Sequence, residues 1–514
     1  MFARRVLCGF VLLQALVAGS PLPLGSVPSY FEKNHVTRRE IPLSAIQNEL
    51  GPKLSPNSLL SFPTDPSFSN LTFRWNTLAP PDVQVVVQPA QESDVATIVK
   101  YCNQNSLEFL VVNTGHGFTT TLGRFKGVQI DMKQLRDITI ANDGKYALCQ
   151  GGAYNNDIVP KLWDNGYVTS TGADDCVGLA GPALGGGHGR YEGIYGLVSD
   201  NLLHLNVVLA DGTSVGVNAT SHPDLFWAMR GAGHNFGIVT SMKLKIYPRE
   251  LKTWHYHNYI WSHTKLDTVF KLLNKLNDKG KTPPKMGVNY GRIYINSTIS
   301  KTEGIVWWTF GYAGPASEAE KILRPFNAIG AITEEMGDIP FPDLGRPQRT
   351  SLSDCGRGGP FALSTAMTRT WNLTTERRNY ELWRKNVALY PELRDASLFY
   401  EGYSVKAVQD IPSDSTAYPH RDQLHLSYAT ATVPDGSDLR PVAEAWMKAH
   451  WDIWNEGQPG RKPATYVNYA TGTAYQTVET IYGYEPWRLQ RLRSLKARYD
   501  PHNSFRFYSP IISS

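Results

Sequence analysis

Residues 176–189 read CVGLAGPALGGGHG, and residues 111–117 read VVNTGHG. Both runs are dense in glycine, and each follows an apolar segment. Glycine lets backbone amides approach a phosphate with no Cβ in the way, and it tolerates the positive φ angles that an anion-binding turn requires. The two runs together predict backbone wrapped around a phosphate-bearing cofactor.

The composition is typical of a large globular protein. The chain has 514 residues, of which 41% are apolar, and a formal net charge of +5. This length suffices for about two or three domains. Since no block of lysine and arginine interleaved with aromatic residues occurs, we expect no nucleic-acid partner.

The first 20 residues read MFARRVLCGFVLLQALVAGS. Two arginines, an apolar run of about a dozen residues and a group of small residues are the layout of a secretory signal peptide. A membrane anchor is the alternative, but it needs about 20 apolar residues, and this run is shorter. We therefore expect a secreted mature chain without a membrane span. N-glycosylation is expected at the four N-x-S/T sequons, Asn70, Asn218, Asn296 and Asn372.

Removal of the leader leaves four cysteines, Cys102, Cys149, Cys176 and Cys355. They are too few and too scattered for a disulfide scaffold, and the sequence leaves open whether they form one or two bridges and which residues pair. The sequence contains neither a C-x-x-C pair nor H-E-x-x-H, so it predicts no metal site.

The residue pattern divides the mature chain into an arm and two domains. Residues 21–74, which begin with a stretch rich in proline and serine, predict an extended N-terminal arm. Residues 75–250 contain a β-α-β unit that leads into the first glycine run. Amphipathic helices and aromatic-rich strands in residues 251–463 predict an α+β substrate domain. Residues 464–514, with a helix stopped by Asp-Pro, are expected to return to the first domain.

Several segments jointly resemble one protein family. They are QPAQESDVATIVKYCNQN, NTGHG, VGLAGPALGGGHG, YGLVSDNLL, DLFWAMRGAGHNFGIVT and the C-terminal YVNY and RYDPHNSF. The chain resembles FAD-linked oxidases of the vanillyl-alcohol oxidase and berberine-bridge-enzyme type, over residues 75–250 and 464–510. The resemblance implies a two-domain α+β fold, in which a PCMH-type domain binds FAD beside the substrate domain. The segments GHGFTTTLG and GGGHGRYEGIYGL are similar to those of fungal members.

The resemblance implies which residues bind the cofactor. His116 matches the histidine that members attach to the 8α-methyl of the flavin, a reaction in which a neutral imidazole is the nucleophile. The alternatives are a hydrogen bond from His116 to pyrophosphate or backbone and a buried structural role. Members often carry Arg-x-Gly-Gly-His, whereas residues 112–116 here read VNTGH, so an arginine contact is missing. The other expected FAD contacts are Asn113, Thr114, Gly115, Gly117, Phe118, Asp174, Val177, Gly178, Gly181 and Val239.

Two positions near the second run bear on the type of enzyme. Asp174 stands where some members carry a cysteine that forms a second flavin bond. Cys176 lies two residues later, and we expect a buried, inert thiol there, with a second flavin bond as the less favoured alternative. Val177 matches a small apolar side chain that leaves room for O2, which favours an oxidase over a dehydrogenase.

Catalysis in this family requires a base near the flavin ring, and the resemblance gives two candidates. Tyr466 and Asn468, in a Tyr-x-Asn motif, match positions that face the flavin, and Asn468 is a further expected FAD contact. A tyrosine has a pKa of about 10 and needs a cationic or hydrogen-bonding neighbour to act as a base near neutral pH. Glu401 matches a base that some members carry. The alternatives are that Tyr466 only shapes the pocket and that Glu401 is solvated or salt-bridged. His188 and His234 are expected to be structural.

The sequence therefore predicts an FAD-dependent oxidase that removes a hydride from a small organic substrate and reduces O2 to H2O2. The fungal resemblance places it in secondary-metabolite biosynthesis, where hydride removal can also trigger ring closure. The alternatives are an extracellular carbohydrate oxidase and a non-enzymatic binding protein on the same fold. Five aromatic residues suggest a lined pocket, with the protein core as the alternative: Trp307, Trp308, Trp371, Tyr400 and Tyr403.

Overall fold

The structure is a computed structural model that describes residues 42–355 and 358–512. The predicted signal peptide lies outside these residues. The first sheet contains β1 (Leu59–Ser61), β2 (Asp82–Gln88), β3 (Glu108–Val112) and β4 (Lys126–Asp131). The strand order is β1-β2-β4-β3, in which β4 is parallel to both β2 and β3 and β1 is antiparallel to β2.

Residues 42–74, which the sequence suggests are an extended arm, instead complete this sheet. They contribute β1, the helix α1 (Leu43–Leu50) and the short helix α2 (Phe68–Leu71). The carboxylate of Asp94 binds this segment, because it accepts hydrogen bonds from the Ser55 amide at 3.0 Å and from Ser58 Oγ at 2.9 Å. A buried carboxylate requires such donors, so the order of this segment depends on a residue outside it.

A five-stranded antiparallel sheet follows, in the order β5-β6-β10-β8-β9. Its strands are β5 (Ile138–Ile140), β6 (Tyr146–Gln150), β8 (Leu202–Val208), β9 (Ser214–Asn218) and β10 (Ile238–Lys245). The strands β7 (Tyr167–Val168) and β11 (Tyr247–Pro248) form a separate pair. The helices of this region are α3 (Glu92–Gln104), α4 (Asn155–Asp164), α5 (Ala180–Gly185), α6 (Glu192–Tyr195) and α7 (Pro223–Met229).

The second half of the chain forms a seven-stranded antiparallel sheet, in the order β15-β12-β14-β13-β17-β18-β16. Its strands are β12 (Trp254–Ser262), β13 (Met286–Tyr294), β14 (Ile305–Tyr312), β15 (Thr333–Ile339), β16 (Phe361–Thr368), β17 (Ser397–Tyr403) and β18 (His425–Thr432). The accompanying helices are α8 (Leu266–Asn277), α9 (Ala316–Asn327), α10 (Leu373–Leu389), α11 (Lys406–Gln409) and α12 (Arg440–Glu456). The architecture is the predicted two-domain α+β fold, and the domain bounds stay a prediction.

The C-terminal helices α13 (Val478–Tyr482) and α14 (Pro486–Tyr499) pack against the first half of the chain. Leu492 belongs to the same buried cluster as Trp227. The Lys496 ammonium lies 2.6 Å from the Asp500 carboxylate and donates to the Asn235 carbonyl at 2.8 Å. In the part of the chain that the structure describes, every helix is too short or too polar to cross a membrane.

We expect Lys496→Met to lower the free energy of unfolding by about 3–5 kcal/mol, because it leaves the buried Asp500 carboxylate without its cation. Both side chains of this pair have 0% exposure. The matched control is Lys448→Met, which breaks an i,i+4 pair with Asp452 whose side chains are 48% and 44% exposed. This change should cost less than about 1 kcal/mol. If urea unfolding showed that the two variants lose the same free energy of unfolding, the difference expected from burial would be contradicted.

Candidate active site

A cavity of about 970 Å³ lies between the glycine turns and the seven-stranded sheet. Such a volume is large enough for a dinucleotide-sized ligand. Every residue for which the sequence suggests a role in cofactor binding or catalysis lines this cavity, although the roles themselves stay predictions. These residues are Asn113, Thr114, Gly115, His116, Gly117, Phe118, Asp174, Val177, Gly178, Gly181, Val239, Glu401, Tyr466 and Asn468.

The two glycine turns contact each other at the floor of the cavity. Thr114 Oγ1 accepts a hydrogen bond from the Gly178 amide at 2.9 Å. Asn113 Nδ2 donates to the carbonyls of Gly151 at 2.8 Å and Ala153 at 3.0 Å. A Cβ on Gly178 would lie only 2.6 Å from the Asn113 side chain. Glycine is therefore required at 178 for the two turns to come this close.

His116 lies where the two turns meet. Its Nδ1 is 3.0 Å from Thr114 Oγ1, and its Nε2 is 3.3 Å from Cys176 Sγ. Burial lowers the pKa of His116 to about 4, because the imidazolium loses hydration. The ring is therefore neutral at physiological pH, which is the protonation state that a nucleophilic imidazole needs.

Cys176 is not the free, inert thiol that the sequence suggests. It forms a disulfide with Cys355, which lies 179 residues later in the chain. The Asp175 amide also donates to the Thr350 carbonyl at 2.9 Å, so the loop before Cys355 is fixed to the second glycine turn. A disulfide sulfur is not a nucleophilic thiolate, which argues against a second flavin bond from Cys176. No local pattern could predict a pairing over this separation.

One face of the seven-stranded sheet forms the opposite wall of the cavity. Since successive side chains of a strand point to opposite faces, Trp307 lines the cavity whereas Trp308 lies in the core beneath the helices. Tyr403 also lines the cavity, and Tyr400 and Trp371 belong to that core. Two of the five candidate aromatic residues are therefore pocket residues, and three are core residues. The same wall also presents Tyr290, Arg292, Tyr294, Phe399, Glu401 and Tyr428.

Glu401 is buried and bound by phenols. Tyr403 Oη donates to one carboxylate oxygen at 2.8 Å, and Tyr469 Oη donates to the other at 3.1 Å. Burial is the main cause that raises the pKa of Glu401 to about 7; the Tyr403 hydrogen bond opposes it and the charge of Asp174 adds to it. Glu401 is thus neither solvated nor salt-bridged by lysine or arginine among the described residues. A carboxylate with a pKa near the operating pH is suited to accept a proton.

Tyr466, the other candidate base, has a different environment. Its hydroxyl oxygen accepts hydrogen bonds from the Gly187 amide at 2.8 Å and from Asn468 Nδ2 at 2.6 Å. These donors favour the phenolate, but burial outweighs them and raises the pKa of Tyr466 above its usual value. Tyr466 is therefore protonated near neutral pH, whereas the pKa of Glu401 lies close to neutral pH.

The two histidines expected to be structural both have hydrogen-bond partners. His188 lies between Glu192, whose carboxylate is 3.0 Å from Nδ1, and Tyr418, whose hydroxyl is 2.9 Å from Nε2. His234 Nε2 is 3.1 Å from the Gly181 carbonyl, and burial lowers the pKa of this ring to about 4. These contacts fit a role in holding the second glycine turn.

Arg292 is a cavity residue that sequence reasoning missed. Its Nε and Nη2 donate to Ser397 Oγ at 3.0 and 2.8 Å, and its guanidinium lies 4.7 Å from the Tyr294 ring and 4.9 Å from the Phe399 ring. Asp395 is a charged neighbour of this guanidinium, but it forms no salt bridge with it among the described residues. The sequence did contain a signal that Arg292 shares a surface with two aromatic rings. The alternating pattern Tyr-x-Arg-x-Tyr over residues 290–294 places these side chains on one face of a strand.

The residues at the cavity fit an FAD molecule. A Cβ on Gly181 would have no atom within 4 Å, so open space adjoins this backbone, where a phosphate could approach. Four lining side chains also keep one polar atom that has no partner among the described residues: Asn113 Oδ1, His234 Nδ1, Tyr290 Oη and Asn468 Oδ1. A polar cofactor can supply such partners.

Two family models match the chain. The FAD binding domain model matches residues 83–218, and the model for berberine and berberine-like proteins matches residues 465–512. The FAD-linked oxidoreductase iacH of Pestalotiopsis fici is 55% identical over 508 residues, which cover 98% of this chain and 97% of the relative. This chain belongs to the berberine-bridge type of FAD-linked oxidoreductases. The oxidoreductase uses FAD as its cofactor.

Further relatives agree with this assignment. The FAD-linked oxidoreductase anuG of Penicillium roqueforti is 48% identical to this oxidoreductase, over 93% of this chain and 94% of the relative. Among solved structures, the glucooligosaccharide oxidase of Acremonium strictum, described with a 6-S-cysteinyl, 8α-N1-histidyl FAD, has a TM-score of 0.74 at 20% identity. The match covers 91% of this chain and all of that one. This structural likeness shows the shared fold.

Peptide mapping of the nonreduced oxidoreductase should recover Cys176 and Cys355 in one linked peptide pair. Cys102 and Cys149 should be alkylated only after unfolding, because both are buried and burial raises the pKa of each thiol. Reduction before mapping is the control and should separate the pair. A Cys176 peptide that carries the mass of a flavin, or a free thiol at Cys176, would refute the disulfide.

Proposed function

We propose that this oxidoreductase is an oxidase that removes a hydride from a small organic substrate and uses O2 as the electron acceptor, with release of H2O2. We also propose a place in secondary-metabolite biosynthesis, in which hydride removal can trigger ring closure. The observation that carries the proposal is Glu401, a buried carboxylate with a pKa of about 7 in an aromatic cavity wall that faces the glycine turns.

Each group at the cavity has a part in this proposal. Bound FAD supplies the acceptor for the hydride and passes the electrons to O2. His116 would hold FAD by a bond to the 8α-methyl, which replaces one imidazole N–H and one methyl C–H while O2 takes up the two electrons and two protons. The backbone around Asn113 and Gly178 would bind the pyrophosphate. Val177 would leave a path for O2.

The proton of the substrate passes to Glu401 in this mechanism. When Glu401 takes the proton of a substrate O–H or N–H, the electron pair left on that atom forms a double bond to the neighbouring carbon, and the carbon releases its hydride. Tyr466 stays protonated, and its hydroxyl is placed to donate a hydrogen bond to a polar substrate atom. Tyr403 and Tyr469 hold the two oxygens of Glu401.

An aromatic substrate fits the cavity better than a sugar does. The wall presents the rings of Tyr290, Trp307, Phe399 and Tyr428, which supply flat apolar surfaces, and Arg292 adds a half-buried cation. The carbohydrate oxidase alternative has support from the name of the glucooligosaccharide oxidase and its shared fold. The disulfide at Cys176 speaks against it, because that neighbour is described with a cysteinyl flavin bond.

Secretion is the proposed location, with N-glycosylation at two of the four sequons. Asn70 is exposed, and Asn296 Oδ1 accepts a hydrogen bond from Thr298 Oγ1 at 2.7 Å, which leaves its Nδ2 amide for a sugar. The other two amides already have contacts, since Asn218 Nδ2 lies 3.0 Å from His204 Nδ1 and Asn372 Nδ2 lies 3.4 Å from the Gly457 carbonyl. Asn70 is therefore the favoured site, and Asn296 is a second candidate that also lines the cavity.

We expect His116→Ala to abolish covalent flavin attachment. After acid precipitation, the yellow colour of the wild-type protein should stay with the pellet, whereas that of the variant should pass to the supernatant, because alanine has no nucleophilic nitrogen. The control is His263→Ala, which changes a histidine outside the cavity. Free colour from the wild-type protein would exclude the covalent bond, and a colourless wild-type protein would favour the binding-protein alternative.

We expect Glu401→Gln to lower kcat/KM by about 10²–10⁴-fold, the usual contribution of a general base. Since Glu401 is protonated below its pKa, wild-type kcat/KM should rise about tenfold per pH unit below pH 7 and level off above it. The Glu401→Gln variant should lose this rise, whereas Tyr466→Phe should keep it at a reduced rate.

The measurement is the rate at which the enzyme releases peroxide with aromatic alcohols, monosaccharides and oligosaccharides as substrates. A pH profile that disappears in Tyr466→Phe but persists in Glu401→Gln would assign the base to Tyr466. Turnover confined to sugars would favour the carbohydrate oxidase.

A further inference from the structure

A second cluster of chemically active side chains lies on the far side of the seven-stranded sheet. His255 and His257 lie two residues apart on β12, so their side chains point to the same face of the sheet. Both side chains are only 2% exposed. Ile260, of opposite parity on the same strand, lines the cavity. The two histidines therefore face away from the cavity, and the cluster is separate from the candidate active site.

Three carboxylates surround the two imidazoles. Glu320 of α9 places Oε1 2.9 Å from His255 Nε2 and 2.8 Å from His257 Nδ1. On the neighbouring strand β15, Asp338 lies 2.7 Å from His255 Nδ1, and Glu334 lies 3.2 Å from His257 Nε2. All four ring nitrogens thus face a carboxylate oxygen.

Two neutral imidazoles do not provide enough N–H donors for these four contacts. A neutral imidazole has one N–H and one bare nitrogen, and an ionised carboxylate has only lone pairs. Two neutral rings would satisfy two of the four contacts and would leave two nitrogen lone pairs against carboxylate oxygens. A cation between the bare nitrogens and Glu320 would satisfy the contacts that two neutral rings leave unmatched. The contact that both rings share, Glu320 Oε1, is where such a cation would bind.

We propose that His255 Nε2, His257 Nδ1 and a Glu320 oxygen bind one divalent transition-metal ion, for which zinc is the best match. The three ligand atoms lie within 4.8 Å of one another, and two imidazoles with one carboxylate form a recognised zinc ligand set. The Glu320 side chain is 28% exposed, so water has access to the fourth position.

The outer carboxylates have the positions that such a site requires. A histidine that binds a metal through one nitrogen usually donates its other N–H to a carboxylate, which fixes the tautomer. Asp338 is placed to accept from His255 Nδ1, and Glu334 from His257 Nε2. Asn327 Nδ2 donates to the second oxygen of Glu320 at 2.7 Å. The three negative charges of the carboxylates offset the charge of the metal ion, and no lysine or arginine pairs with them among the described residues.

The metal would join three elements of the second domain. His255 and His257 belong to β12, Glu320 belongs to α9, and the outer carboxylates belong to the edge strand β15. Because the cluster faces away from the cavity, the role of the ion is structural, and the inference is independent of the proposed function. The absence of a contiguous metal motif explains why the sequence predicts no site, since Glu320 follows His257 by 63 residues.

The test is a zinc titration of the whole protein at pH 7.5 after removal of metal with a chelator. Calorimetry should give one ion per chain, and Tm should rise by about 2 °C or more in saturating zinc. His255→Gln and Glu320→Gln should remove the site, whereas His263→Gln, a histidine just beyond the same strand, should leave it unchanged.

Glu334→Gln keeps the test informative if the ligand variants do not fold, because the Glu334 side chain is 52% exposed. Loss of this outer acceptor should weaken zinc affinity about 10–100-fold. The inference would be overturned by the absence of a one-to-one zinc isotherm in the wild-type protein, or by equal zinc affinities of the wild-type protein, Glu320→Gln and Glu334→Gln. Either result would mean that the two histidines and the three carboxylates form a hydrogen-bonded network without a metal ion.

Discussion

The hydrogen bond from the Gly178 amide to Thr114 Oγ1 joins the two glycine turns, and the cavity depends on it. The turns are separated in sequence and approach closely only because position 178 has no side chain. The same contact places His116 beside Cys176, whose disulfide to Cys355 fixes a loop of the second half of the chain over the cavity. The glycine turns and the wall formed by the seven-stranded sheet are thereby held on opposite sides of one cavity.

Desolvation tunes the two central groups of this site in opposite directions. Burial penalises the charged form of any group, so it lowers the pKa of His116 and raises that of Glu401. The imidazole is consequently available as a nucleophile, and the carboxylate titrates near neutral pH. Neither effect needs a charged partner, because loss of water around the cavity is the main cause of both.

Successive side chains of the seven-stranded sheet point to opposite faces, which separates the cavity from the hydrophobic core and the histidine cluster. Glu401 and Trp307 face the cavity, whereas their neighbours Tyr400 and Trp308 fill the core beneath the helices. The histidine cluster on β12 lies on that second face, near the sheet edge, with charged residues of β15 and α9 around it. A single layer of backbone thus supports a proposed redox site and a proposed metal site without contact between them.

The glycine spacing in the sequence was sufficient to predict two turns around a phosphate-bearing cofactor, because such motifs act over a few residues. The FAD-binding fold was implied by the resemblance to a known family, which also suggested His116 and the two candidate bases, whose roles stay predictions. The tertiary structure alone decided the rest. It paired Cys176 with Cys355, brought Arg292 into the cavity, bound residues 42–74 to Asp94, raised the pKa of Glu401 to about 7 and kept Tyr466 protonated. These outcomes depend on burial and on contacts between residues far apart in the chain, which no local pattern encodes.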